Sequence, residues 1–132
     1  GVLAPFKAAD GAPADVDAMY AMLIAFWSAV RDAFPEAWGL PPTQSRLMHS
    51  AGIEAMSTLM DRIMSRAAPG ADLYDHAFVA LTRIAPHCRW TSGRWAALQK
   101  NWNDIQNAGR DVKLLAGHLA RLDHKLSFAK VA

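Results

Sequence analysis

The stretch from Asp15 to Pro35 reads DVDAMYAMLIAFWSAVRDAFP, and it decides the fold class. After Asp15, the apolar residues Val16, Met19, Tyr20, Leu23, Phe26, Trp27, Val30 and Phe34 recur at intervals of three and four. That is the spacing of one buried face of a helix. Pro13 and Asp15 mark where the helix starts, and Pro35, which cannot continue it, marks where it stops. The residues before it, with Pro5, Gly11 and Pro13, have no period, so 1–15 read as an extended lead-in or fragment boundary.

Working outward, Gly39 to Pro42 is a cluster of helix breakers, after which Thr43 or Ser45 is expected to cap a second helix. Its stripe comprises Met48, Gly52, Ala55, Met56, Leu59, Met60 and Ile63. Glycine inside a helix costs about 1 kcal/mol relative to alanine, so the small residues Ala51, Gly52 and Ala55 predict that another helix approaches closely there. Pro69 and Gly70 end that element. Asp72 then caps a third, with Leu73, Ala77, Phe78, Leu81 and Ile84 on its apolar side and Pro86 at its end. From Pro86 to Asn107 the pattern is irregular, with Trp90, Trp95 and Trp102 as large anchors and short helical turns predicted near 94–100 and 102–106. The last helix, from Gly109 to Lys125, carries Val112, Leu115, Leu119, Leu122 and Leu126 as a narrow seam suited to a partner helix. No run alternates apolar and polar as a half-buried strand does. The expectation is an all-α fold, a compact helical bundle of four main helices plus short Trp-rich helical turns, forming one domain over 16–132.

A chain of 132 residues that is 52% apolar, 20% charged and 9% aromatic suits one globular domain. The longest apolar candidate, Met19 to Val30, is too short for a membrane span, which needs about 20 residues. A single cysteine, Cys88, excludes an internal disulfide and a thiolate zinc cage, which points to a reducing compartment and a cytoplasmic setting. The chain opens on Gly1 without a basic-then-apolar leader, as an excised fragment does. Charge is unevenly spread: residues 1–44, 45–82 and 83–132 have balances of −3, −1 and +6. A basic final third is the footprint of a nucleic-acid contact, or simply a solvated surface.

Two places attract functional readings. At about 100° per residue His49 lies in line with Ile53, Met56, Met60 and Ile63, with Ser45 a turn earlier and Arg46 at the edge. Ser45, Arg46 and His49 at a helix start are candidates for holding a phosphate or carboxylate. The alternative is a buried, hydrogen-bonded histidine and a solvated arginine. The second place runs from His87 to Trp102, where guanidinium groups interleave with indoles. Arg89, Trp90, Arg94, Trp95, Lys100, Arg110 and Lys113 are candidates for nucleic-acid contact, by pairing with phosphate and stacking on bases. The same composition also describes arginines lying over tryptophans that merely anchor a loop. Cys88 beside His87 has no third residue to orient a nucleophile, and His118 and His124 are six apart, on different helical faces. No catalytic residue, metal ligand or cofactor motif is identified, so no enzyme is expected.

Three strings carry a family likeness. They are Ser45-Arg46-Leu47-Met48-His49-Ser50-Ala51-Gly52-Ile53, Cys88-Arg89-Trp90-Thr91-Ser92-Gly93-Arg94-Trp95, and Trp102-Asn103-Asp104-Ile105-Gln106-Asn107. With Phe26, Trp27, Ala29, Val30 and the Phe34-Pro35-Glu36-Ala37-Trp38 exit, they resemble the C-terminal helical part of DGQHR-domain proteins. Those include the DndB-like proteins associated with DNA sulfur modification. The likeness covers 16–122, but the Asp-Gly-Gln-His-Arg motif and a strand-rich, ParB-like region are absent from the sequence. The resemblance implies a helical companion domain of a DNA-associated bacterial or phage protein. Its expected partners are DNA, an upstream ParB-like domain or a second copy. Ser45, Arg46, His49, Trp90, Thr91, Ser92, Gly93, Trp95, Trp102, Asn103, Gln106 and Asn107 are the implied shared surface or scaffold. The competing expectation is an interaction or dimerisation module that uses the leucine seam, or exposed indoles, and touches no nucleic acid.

Overall fold

The structure is a computed structural model that describes residues 15–128. It is mostly α-helical. The expected lead-in over 1–15 falls outside the described residues apart from Asp15. Helix α1 spans Val16–Ala33, and the Asp15 carboxylate caps it by accepting the Ala18 N–H at 3.2 Å. It ends at Phe34, whose N–H reaches the Val30 carbonyl just before Pro35. Helix α3, Leu73–Ile84, is capped in the same way by Asp72 and runs into a 3-10 turn at Ala85–His87 that contains Pro86. Helices α2, Ser50–Ser65, and α4, Gly109–Ser127, complete the main elements.

Helix α1 packs chiefly on α3, and α4 packs on α2 and more lightly on α3. The apolar stripes meet in one core. Phe26, Val30 and Phe34 come from α1; Met56, Leu59, Met60 and Ile63 from α2; Leu81 and Ile84 from α3; Leu115 and Leu119 from α4. Each such side chain contributes about 1.5–3 kcal/mol of burial. The leucine seam is therefore internal, with Leu115 and Leu119 buried and Leu122 and Leu126 packed against the core. Its partner helix is α2 of the same chain.

Three expectations need correction. Val16 and Tyr20 do not face the core but are 68% and 65% exposed, as is Ile24 at 52%. With 18 residues against the 12 of α3, α1 is about 9 Å longer than the helix it packs on. The second helix starts at Ser50, so neither Thr43 nor Ser45 caps it. The fold is also not purely α. Arg94–Trp95 and Lys100–Asn101 form a two-stranded antiparallel pair with Arg94 opposite Asn101 and Trp95 opposite Lys100. Strands of two residues are too short to show alternation. The turn between them is a 3-10 helix, Ala96–Leu98, closed by Gln99 in the left-handed region at φ 55°. A further 3-10 turn, Trp102–Asp104, leads towards α4, so both expected helical turns in this segment are present. No described helix is long and apolar enough to cross a membrane.

Candidate functional site

The three strings that carry the family likeness meet around Arg46. Its backbone N–H donates to the Trp90 carbonyl at 2.9 Å. Its guanidinium donates to the carbonyls of Ile105 at 2.9 Å, Asn103 at 2.8 Å and Pro42 at 3.1 Å, and sits 5.8 Å from the centre of the Trp102 ring. The backbone N–H of Trp102 in turn donates to the Gly93 carbonyl. A guanidinium has five N–H donors, and here neutral acceptors of three loop positions occupy it. Arg46 is thus a tether, with two of its five N–H donors left over.

Gly52 explains how the loop reaches this position. A Cβ at 52 would lie 1.8 Å from the Arg46 carbonyl oxygen, so only glycine lets residues 46–47 cross the first turn of α2. At Gly52 the element that approaches closely is the preceding loop. His49 caps α2 by accepting the Ala51 N–H on Nδ1 at 3.2 Å. Burial, then the nearby Arg46 charge, lowers its pKa and favours the neutral ring that a cap acceptor must be. Ser45 is buried, and its Oγ makes no hydrogen bond among the described residues. Of the three residues of the predicted anion site, Ser45 is a buried hydroxyl, Arg46 a tether and His49 a cap.

The indoles are also structural. Trp90 and Trp95 are buried, which removes them as platforms for bases. Rings run edge-on from Phe34 to Trp90 at 6.0 Å, to Trp95 at 5.3 Å and to His118 at 5.7 Å, joining the end of α1 to the middle of α4. Lys100 is likewise engaged: its Nζ lies 3.5 Å from Asp111, whose other oxygen accepts the Gln106 N–H at 2.9 Å. That backbone bond, above all, holds the Asp111 carboxyl below its usual pKa. Cys88 donates to the Ile84 carbonyl, and burial pushes its thiol up to about 12, so the ionised nucleophile is suppressed.

Of the seven expected nucleic-acid contacts, Arg94, Arg110 and Lys113 are exposed and Arg89 is partly so. Two further cations, Arg121 and Lys125, join Arg110 and Lys113 on the outer face of α4. Lys113, Gly117, Arg121 and Lys125 fall at four-residue spacing, so they form one row, with Arg110 a turn before it. The Arg121 guanidinium lies back over Gly117, where a Cβ would be 3.3 Å from it. Both acids of α4 point inward. Asp111 is held as described, and the buried Asp123 binds Arg66 through two bonds of 2.6 and 2.5 Å, with Arg62 at 3.4 Å and the Ser127 hydroxyl at 3.2 Å. No ion pair to Arg110, Lys113, Arg121 or Lys125 occurs among the described residues, so positive charge on this face is unopposed. Reading the polar side of the last helix with the period used for its leucines identifies Arg121 and Lys125 from sequence.

Among the described residues no group of three His, Cys, Asp or Glu side chains is placed to hold a metal ion. Comparison with family models, with curated proteins and with solved structures finds no match to this chain.

Proposed function

We propose that this chain is a non-catalytic domain of a DNA-associated bacterial or phage protein of the DGQHR/DndB-like kind, working in the cytoplasm. In this reading the four helices form a compact bundle whose outer α4 face lies along a nucleic-acid backbone. One observation carries it: Arg110, Lys113, Arg121 and Lys125 share an exposed face while Asp111 and Asp123 are turned inward and neutralised. At 1.5 Å per residue these four cations span about 22 Å, enough for several successive phosphates. The contact is electrostatic, because Trp90 and Trp95, the indoles expected to stack on bases, belong to the core.

Titration of the chain with duplex and single-stranded DNA across a salt series tests this. Four neutralised phosphates predict a slope of log affinity against log salt of about −3.6 on duplex. Failure to bind either DNA at low salt, or binding indifferent to salt, removes the reading.

A different observation favours a second reading. Val16, Tyr20 and Ile24 recur every four residues along the first half of α1 and are exposed, an apolar strip that an interaction or dimerisation module without nucleic-acid contact would use. Sedimentation as a strict monomer at high concentration excludes self-association through it.

A further inference from the structure

On the flank of α4, between its middle turns and the tryptophan-rich segment, lies a cleft of about 200 Å³. Its lining includes His87, Arg89, Arg94, Trp95, His118 and Leu122, and no carboxylate contributes to it. Two arginines and two histidines thus line one space with a partly apolar wall.

Both arginines are held in place by neutral acceptors. Arg89 donates from one terminal nitrogen to the carbonyls of Pro86 at 2.9 Å and Cys88 at 2.8 Å. Its aliphatic stem lies against residue 93, where a Cβ would be 3.0 Å from Cδ; that position is glycine, at φ +82°. Arg94 donates from one terminal nitrogen to Asn101 Oδ1 at 3.2 Å, across the two-stranded pair. Each retains the N–H groups of its Nε and its second terminal nitrogen. Neither makes an ion pair among the described residues, so both charges remain uncompensated.

We infer that this cleft binds a phosphomonoester. Such a group carries about −1.5 to −2 charges at neutral pH and three acceptor oxygens, matching two pre-positioned guanidinium forks flanked by imidazole donors. A phosphodiester has one charge and two free oxygens, and its two ester arms must both leave the cleft. The volume admits a phosphoryl group with a few attached atoms and excludes a base-paired helix. The monoester can be the phosphorylated end of a strand, in which case the inference rests on the nucleic-acid reading above, or it can belong to a small metabolite.

Thermal melting and the indole N–H signals of the full chain would be followed against inorganic phosphate, with sodium chloride at matched ionic strength as the control. Phosphate at millimolar concentration is expected to raise the melting temperature and shift the Trp95 signal. Arg94→Ala should weaken the response at least tenfold, and Arg89→Lys provides the second variant should Arg94→Ala disturb the strand pair. A 5′-phosphorylated trinucleotide that binds at least tenfold more tightly than its 5′-hydroxyl twin and than glycerol phosphate assigns the source to a strand end. Equal binding of the trinucleotide and glycerol phosphate assigns it to small esters. A phosphate response no larger than that of chloride, or one that survives both substitutions, overturns the inference. Duplex titration of the same samples separates the two readings. A chain blind to phosphate that still binds duplex with the expected salt slope loses only the cleft, and one that responds to phosphate but not to duplex loses only the α4 interface.

Discussion

Arg46 and Arg121 are the same side chain put to opposite uses. The Arg46 guanidinium is surrounded by three main-chain carbonyls and an indole face, so its positive charge goes into tying its own loop to the 102–105 segment. Arg121 lies back over Gly117 and makes no ion pair among the described residues, and the acids of its helix are occupied elsewhere. A count of basic residues treats the two alike. What separates scaffold from surface is whether the donors already have acceptors, and this comparison can be broken or sharpened by substitution.

The largest effect belongs to the hub. Gly52→Ala forces a methyl group into the Arg46 carbonyl, so the loop must lift from α2; a loss of about 3 kcal/mol or more in urea unfolding is expected. Arg46→Ala should cost about 3 kcal/mol, because it strips three carbonyls of a charged donor. A loss below about 1 kcal/mol for both would mean the loops hold together without it. Asp123→Ala comes next: Arg66 then keeps a largely buried charge without its partner, for which about 3 kcal/mol is expected. Removing Lys113 or Arg121 should leave stability within about 0.5 kcal/mol and reduce the duplex salt slope by about 1 for each residue. Unfolding caused by Arg121→Ala would erase the distinction between the two arginines.

The smallest effect is on the dependence of stability on pH. The pKa of His49 is lower in the folded chain than its ordinary value near 6.5, so the unfolded chain binds more protons in that interval. Stability from this group is present above about 6.5 and is lost as pH falls towards the folded value. His118 is shifted in the same direction, first by burial and then by the charges of Arg121 and His87. His49→Asn keeps a good cap while removing one titration, and should flatten the melting-temperature profile between pH 7.5 and 5.5 by part of its slope. An unchanged slope would show that the His49 cap does not respond to protonation.

Helix α1 shows how far reading the sequence reaches. Its boundaries follow from Asp15 and Pro35, and its inner half follows from Phe26, Val30 and Phe34. Yet the same period assigned Val16 and Tyr20 to the core, because periodicity reports which face is apolar and not how far the neighbouring helix extends. The basic surface was half legible: Arg110 and Lys113 were identified, and Arg121 and Lys125 belong to the same row. Trp90 and Trp95 could not be sorted into platform or core from sequence, since an indole serves either purpose and only its surroundings decide.

Local chemistry by itself determined the helices of this chain, because caps, prolines and a repeat of three and four act within a few residues of one another. Tertiary structure alone decided which charges are available. The partners of Arg46 lie 57 and 59 residues away in the chain, as well as at the nearby Pro42, and Asp123 meets Arg66 across a separation of 57. An ion pair or a carbonyl contact over such distances leaves no periodic trace, since it depends on where two surfaces come to rest and not on what precedes either residue.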